Sequence, residues 1–190
     1  MKTSDVEILI LPGLGDSGPD HWQTRWERKL STARRVVQSD WNRADREQWT
    51  GAITAAVEQA KKPVVLVAHS IAVAAVAHAA AQLPRPIAGA FLVALSDWNR
   101  PQLLPGVKHD FAPIPQARFS FPSVLVASRN DPLCEFEVAA MHALAWGSSL
   151  IDAGDAGHIN AESGHGPWPE GLMRFGLFMK SLGEASGNTP

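Results

Sequence analysis

Residues 64–75 read VVLVAHSIAVAA, and this stretch decides the fold. It begins as an unbroken apolar run, reaches a serine at position 70 and continues at once as an alanine-rich segment. An apolar run without polar alternation is typical of a parallel strand that is covered on both faces. Ser70 therefore stands where a buried strand passes into a helix, which is the context of a nucleophile elbow.

The turn at Ser70 has two interpretations. A nucleophile elbow brings together the residues two before and two after the serine, so both must be small. Ala68 and Ala72 stand there instead of the usual glycines, which makes the pattern less specific. Serine is also a frequent helix N-cap, so the local pattern alone leaves a structural interpretation open.

Apolar runs and helical patterns alternate along the whole chain, as in βα units with a parallel sheet. The predicted strands span residues 7–11, 35–38, 64–68, 89–95, 123–127 and 148–151. The predicted helices span residues 19–30, 44–60, 71–82, 135–145 and 168–182, with Pro19 in a first helical turn. We expect one domain over residues 1–182, an ordered excursion over residues 98–119 and a disordered tail over residues 183–190.

A catalytic serine needs a base, and the base needs an acid that orients it. Asp131 follows the fifth predicted strand on a tight turn, and His158 follows the sixth after a glycine. The order serine, aspartate, histidine is that of α/β-hydrolases. The alternatives are Asp97, which is interpreted as a turn former, and His165, for which a structural or pocket position is expected.

An oxyanion hole is predicted beside the serine. In a site of this kind the N–H groups come from the residue after the nucleophile, here Ile71, and from the loop after the first core strand, where Leu14 is the candidate. The neighbouring side chains Ser17, His21 and Trp22, together with His165, are the candidates for a substrate pocket.

The loop after the first strand also supports a competing hypothesis. Residues 13–18, GLGDSG, match the dinucleotide-binding fingerprint between a strand and a helix, and Asp40 ends the next strand. Two details count against it. Pro19 delays the helix, although the last glycine of the fingerprint should lie inside it, and Asp16 would set a carboxylate beside a pyrophosphate.

Composition narrows the class of protein. The 190 residues carry a net charge of −2, which gives no electrostatic reason to expect nucleic acid as a partner. No apolar stretch approaches the ~20 residues of a membrane span, and acids stand where a signal peptide would be basic and apolar. The single cysteine, Cys134, is expected to be a small buried filler. We therefore expect a cytoplasmic protein without a membrane contact.

No metal or organic cofactor is expected. None of the seven histidines pairs with another histidine, a cysteine or an acid at a recognised zinc spacing. The expected partner is a small-molecule acyl substrate, and the sequence does not indicate a protein partner.

The sequence resembles the small serine hydrolases, a family that includes the retinoblastoma-binding serine hydrolase and the YdeN-type bacterial proteins. The resemblance spans nearly the whole chain and is most specific in residues 157–171, GHINAESGHGPWPEG. It implies a minimal α/β-hydrolase fold without a large lid, with Ser70 as nucleophile, Asp131 as acid and His158 as base. Ala72 departs from the glycine that the family usually has behind the nucleophile. The family name also records partner binding, so an interaction scaffold with a vestigial site is a second hypothesis.

Together these features predict an α/β fold with a six-stranded parallel sheet of order 2-1-3-4-5-6 and helices on both faces. The reversal between strands 1 and 3 would set the Leu14 loop beside Ser70, where ligands bind in open sheets. The predicted function is that of a serine hydrolase that cleaves a small acyl ester or amide through an acyl-enzyme.

Overall fold

The computed structural model describes residues 1–100 and 110–187. A parallel sheet of order β2-β1-β3-β4-β5-β6 runs through it, which confirms the predicted architecture. The strands are β1 Glu7–Leu11, β2 Ala33–Arg35, β3 Val64–His69, β4 Gly89–Val93, β5 Ser123–Ala127 and β6 Ser149–Asp152. The helices are α1 Trp22–Lys29, α2 Arg46–Gln59, α3 Ile71–Ala79, α4 Phe136–Trp146 and α5 Pro169–Gly187, with short 3-10 turns at Thr3–Asp5 and Ala80–Gln82.

Each face of the sheet carries its own apolar core. Successive side chains of a strand point to opposite faces, so Leu9 and Leu66 pack with α2, α3 and α4, whereas Ile8 and Val65 pack with α1 and α5. Because both faces are covered, the central strands are apolar throughout and β3 is buried along its whole length. No helix in the described part of the chain has the length and apolar character needed to cross a membrane.

Several predicted boundaries are wrong, among them those of β2, α1 and α5. Strand β2 covers Ala33–Arg35 rather than residues 35–38, because this edge strand is only half-buried and the apolar signal of Val36 lies just beyond it. Helix α1 begins at Trp22, where the His21 side chain accepts the Gln23 N–H, so Pro19 precedes the helix. Helix α5 runs to Gly187, five residues past its predicted end, so 183–187 are helical and 188–190 lie outside the described residues.

The excursion between β4 and β5 is described only in part. Residues 101–109 of the predicted segment 98–119 lie outside the described residues. Phe111 and Ile114, which follow them, are buried in the core on the α2–α3–α4 face. This part of the excursion therefore belongs to the core on that face, where Phe111 packs against Trp49 of α2 and His78 of α3.

Candidate active site

Ser70 occupies a strained turn at the carboxyl end of β3. Its backbone has φ 60° and ψ −128°, a conformation that costs a side-chain-bearing residue about 1–3 kcal/mol. Although Ser70 is the residue before α3, its side chain makes no capping hydrogen bond. The hydroxyl is therefore available for other partners, which decides against the simple N-cap interpretation.

The Ser70 hydroxyl, the His158 ring and the Asp131 carboxylate form a chain of hydrogen bonds. His158 Nδ1 lies 2.9 Å from both carboxylate oxygens of Asp131, and His158 Nε2 lies 2.9 Å from Ser70 Oγ. An ionised carboxylate only accepts, so Nδ1–H donates to it, and Nε2 of the neutral ring is left to accept the Ser70 hydroxyl proton. Asp131 and His158 are largely shielded from solvent, which strengthens the attraction between them.

The two alternative residues have hydrogen-bond partners outside this chain of three. The Asp97 carboxylate accepts the N–H of Asn99, two residues on, as a turn-forming aspartate does. His165 Nδ1 lies 3.2 Å from Ser163 Oγ, within its own loop. Among these candidates, the structure brings together only the three residues that the sequence places at the ends of β3, β5 and β6.

The turn that carries Asp131 and the loop that carries His158 are joined by hydrogen bonds. Asn130 Oδ1 accepts the N–H of Gly157 at 2.7 Å, and Ser128 Oγ accepts the N–H of Ala156 at 2.9 Å. Gly157 has φ +57°, and a Cβ there would lie 2.6 Å from the Ser163 Cβ, so only glycine fits this loop. These contacts between the two loops thus add to the direct hydrogen bonds that hold the Asp131 carboxylate next to the His158 imidazole.

His69 is a site residue that sequence reasoning missed. Its Nε2–H donates to the backbone carbonyl of His158 at 2.9 Å, and its ring packs 4.9 Å from that of His158. Burial holds the pKa of His69 well below its ordinary value, and the neighbouring His158 and His21 lower it further, so the ring stays neutral. The available signal was a histidine at the end of an otherwise apolar strand, directly before the serine.

A cavity of about 450 Å³ opens above Ser70 and His158. Leu14 and His21 line it from the β1–α1 loop, Ile71 lines it from the start of α3, and Glu162 from the loop after His158. In the described residues, the backbone N–H groups of Leu14 and Ile71 have no hydrogen-bond acceptor. Both predicted oxyanion donors therefore border the cavity with their N–H groups unused.

Close packing holds the Leu14 loop against the serine. A Cβ on Gly13 would lie 2.8 Å from the Ser70 Cβ and 3.4 Å from the His69 carbonyl oxygen, so a side chain at Gly13 would push the loop or the serine away. The absence of a side chain at Gly13 is thus required for the approach of Leu14 to Ser70.

His21 presents a neutral ring to the cavity. Its Nδ1 accepts the N–H of Gln23 at 3.1 Å, so the ring proton lies on Nε2. Burial above all, together with the positive charge of Arg35 and the proximity of His158, lowers the pKa of His21 to about 4. At neutral pH the ring is therefore an uncharged Nε2–H donor, and the sequence-based assignment of His21 to the pocket agrees with its position.

Three predicted pocket residues, Ser17, Trp22 and His165, do not line this cavity. The Ser17 hydroxyl donates to Gln23 Oε1 at 2.7 Å behind the loop. The Trp22 indole N–H donates to the carbonyl of Ile159 at 2.9 Å and so fixes the loop next to His158. His165 packs edge-on against Trp168. The prediction that these three residues line the pocket is therefore wrong, and they support the surrounding loops instead. Proximity to a site in the sequence does not indicate where a side chain points.

The glycine loop lacks the geometry that a dinucleotide fingerprint requires. Gly18 lies four residues before the first residue of α1, so it is outside the helix. A Cβ on Gly18 would meet open space rather than a strand. The Asp16 carboxylate pairs with the Arg35 guanidinium at 2.6 Å, so this cation is already engaged by acids of the chain.

Cys134 is buried as predicted, and burial raises the pKa of its thiol to about 12.

The order of the sheet and the strained serine between β3 and α3 define an α/β-hydrolase. A model of the serine hydrolase family matches residues 8–176, and the chain belongs to that family, as the sequence resemblance predicted. A search among curated proteins finds no match.

Solved structures agree with this assignment. A structure described as a YdeN-like hydrolase from Pectobacterium atrosepticum is 38% identical over 95% of this chain and 94% of its own, with a TM-score of 0.85. The ydeN gene product of B. subtilis is 17% identical over 92% of this chain and 98% of its own, with a TM-score of 0.74. An esterase domain from a Rhodothermus marinus protein is 16% identical over 89% of this chain and 84% of its own, with a TM-score of 0.65. The last two show similarity of fold alone.

Proposed function

We propose that this protein hydrolyses a small acyl ester or amide through an acyl-enzyme on Ser70. The observation that carries the proposal is the unbroken hydrogen-bond chain from the Ser70 hydroxyl through His158 to Asp131, which begins at the floor of an open cavity. A serine hydroxyl is a weak nucleophile until a positioned base accepts its proton, and that is the arrangement here.

In the first half-reaction, Ser70 Oγ attacks the acyl carbon while its proton passes to His158 Nε2. The imidazolium that forms is stabilised by the Asp131 carboxylate, and the negative charge on the acyl oxygen accepts hydrogen bonds from the Leu14 and Ile71 N–H groups. Collapse of this intermediate breaks the bond to the leaving group, which takes the proton from His158 Nε2 and departs as an alcohol or amine.

Water completes the cycle. His158 Nε2 accepts a proton from a water molecule as the water oxygen attacks the acyl carbon. Collapse of the second tetrahedral intermediate breaks the bond between the acyl carbon and Ser70 Oγ, and His158 Nε2 returns the proton to Ser70 Oγ. A carboxylic acid leaves and the resting state is restored. A cavity of about 450 Å³ lies at the small end of ordinary ligand pockets, which supports a small acyl substrate. Residence in the cytoplasm stays a prediction from the sequence.

Turnover of a panel of activated esters, thioesters and amides with acyl chains of graded length tests the proposal. We expect hydrolysis of at least the short-chain esters and its loss in Ser70→Ala. Ser123→Ala is the matched control, because Ser123 is also buried but lies at the opposite end of the sheet. A wild-type protein that hydrolyses no member of the panel would contradict the proposal and favour the interaction-scaffold hypothesis.

A further inference from the structure

The Ser70 hydroxyl has a second hydrogen-bond partner that the mechanism above does not use. Ser96 Oγ lies 2.9 Å from Ser70 Oγ, the same distance that separates Ser70 Oγ from His158 Nε2. Ser96 is 2% exposed and does not line the cavity above Ser70. It lies behind the nucleophile, where it can contact Ser70 but not a molecule bound in the cavity.

The end of β4 is shaped so that Ser96 reaches this position. The Ser70 N–H donates to the carbonyl of Val93, the last residue of β4, at 3.0 Å. The next residue, Ala94, has φ 51°, a left-handed conformation that is unfavourable for an alanine. Asp97 N–H then donates to the Leu133 carbonyl at 2.9 Å. Backbone strain at Ala94 and a fixed contact at Asp97 thus bracket Ser96, as expected where a position matters for function.

Counting protons assigns the direction of the Ser70–Ser96 hydrogen bond. Because His158 Nδ1–H donates to Asp131, Nε2 must accept, and Ser70 gives its only hydroxyl proton to it. The hydrogen between the two serine oxygens therefore belongs to Ser96. We propose that Ser96 is a positioning residue, whose hydroxyl donates to Ser70 Oγ and holds it in the rotamer that faces His158.

This inference rests on the proposed function and adds a specific kinetic consequence. Without the Ser96 hydroxyl, Ser70 can rotate among its side-chain rotamers, so fewer molecules have the O–H aligned with His158 at any moment. Acylation slows, whereas binding in the cavity is unaffected because Ser96 does not line it. We expect Ser96→Ala to lower kcat for acylation about tenfold, the ratio that corresponds to one ordinary hydrogen bond, with KM unchanged.

The chain contains a matched control for this test. Ser123 and Ser148 form another contact between serine hydroxyls, with the two oxygens 2.6 Å apart, at the amino end of β5. Ser123→Ala removes a hydrogen bond of the same kind far from the cavity. Acylation by an activated ester is measured in single turnovers for wild type, Ser70→Ala, Ser96→Ala and Ser123→Ala, with melting temperatures recorded for each.

A second pair of variants separates the hydroxyl from packing. Ser96→Thr and Ser96→Val are close in shape and differ in the hydroxyl, so Ser96→Thr should acylate several-fold faster than Ser96→Val. If Ser96→Ala shows no melting transition and so does not fold, the comparison of Ser96→Thr with Ser96→Val still tests the role of the hydroxyl. The pH dependence of kcat/KM should keep the wild-type shape in Ser96→Ala, since His158 and Asp131 retain their contacts.

The two claims fail in different ways. Ser70→Ala that acylates at the wild-type rate overturns the proposed function, and the positioning by Ser96 with it. Loss of acylation in Ser70→Ala together with wild-type or faster acylation in Ser96→Ala overturns the inference alone. Equal rates for Ser96→Thr and Ser96→Val also overturn it, because the hydroxyl would then have no effect.

Discussion

The carboxyl end of the sheet and its amino end are built differently. All four non-glycine residues with positive φ in the described residues lie in the loops at the carboxyl end: Asp16, Ser70, Ala94 and Ile159. At the amino end, Pro63 and Pro122 lead directly into β3 and β5 with regular backbone. Each strained residue costs about 1–3 kcal/mol and persists only where its surroundings hold it in place. Backbone strain therefore concentrates where Ser70 and the cavity lie.

Most buried polar side chains lie at the carboxyl end as well, although Ser123 is buried at the amino end. His69, Ser96 and His158 are buried at the carboxyl end, and each makes a hydrogen bond. At the amino end, the ion pair of Glu7 with Arg34 is partly exposed, which costs little desolvation. The comparison teaches that backbone strain and most buried polar side chains concentrate at the end of the sheet that carries Ser70 and the cavity.

The strongest test of this difference removes the base. His158→Ala should lower turnover by about 10⁶-fold, to the level of Ser70→Ala, and the double variant should be scarcely worse because the residues act as a unit. His165→Ala should lose less than about tenfold, since within the described residues its ring bonds to Ser163 and packs on Trp168 rather than on the triad. Steady-state kinetics of these four variants make the measurement. A dead His165→Ala with an active His158→Ala would reverse the assignment of the base.

The acid should have the next largest effect. Asp131→Asn should lower kcat by about 10⁴-fold, because an amide that donates to Nδ1 stabilises the wrong imidazole tautomer. Asp97→Asn is the matched control and should remain close to wild type, since among the described residues its carboxylate accepts a backbone N–H of its own turn. Kinetics should be compared at equal melting temperature. The opposite pattern would show that the acid comes from β4.

A pair of glycines in the β1–α1 loop tests the packing of the oxyanion donor. Gly13→Ala should lower kcat about 10²-fold, because the new Cβ would meet Ser70 and displace the Leu14 N–H from the acyl oxygen. A Cβ on Gly18, which also borders the cavity, would meet no atom within 4 Å, so Gly18→Ala should keep kcat near the wild-type value. Equal activities for the two variants would show that the Leu14 loop is not held by this contact.

The smallest effect concerns acid stability. His21 has a pKa of about 4 when folded and an ordinary value of 6.5, so the unfolded state binds a proton first as the pH falls. The contribution of the neutral His21 ring to the free energy of unfolding is complete above about pH 6.5 and is lost progressively down to about pH 4. The loss amounts to about 2 kcal/mol between pH 7 and pH 5. In denaturant titrations, the free energy of unfolding of His21→Gln should fall by about 2 kcal/mol less than that of the wild type between pH 7 and pH 5. Between pH 7 and pH 8 the two proteins should change in parallel, and parallel curves below pH 6 would contradict the assignment.

How much the sequence predicted depends on the burial of each element. The bounds of β1 and β5 were predicted without error, because both strands are covered on both faces and their apolar runs end where burial ends. Strand β2 was misplaced because it is a half-buried edge strand that contains two arginines. The triad candidates could be found because each lies in the turn or loop that follows an apolar run, which ties its position to the carboxyl end of the sheet.

The contacts behind the site could not be predicted in the same way. Ser96 meets Ser70 across 26 positions of chain, through a left-handed turn at Ala94 that no glycine signals. His69 was overlooked because nothing in a strand pattern indicates that its side chain will meet the carbonyl of His158. Trp22 was assigned to the pocket because it is near the loop, but the start of α1 directs its indole toward Ile159 instead.

The most direct test of the account is the location of a covalent adduct. The wild-type protein is treated with a fluorophosphonate ester, which phosphonylates activated serines, then digested and analysed by mass spectrometry. The account predicts a single adduct on Ser70, since its hydroxyl is bonded to the His158 ring beneath the cavity. An adduct on Ser163 or another serine, or no adduct on the folded protein, would contradict it.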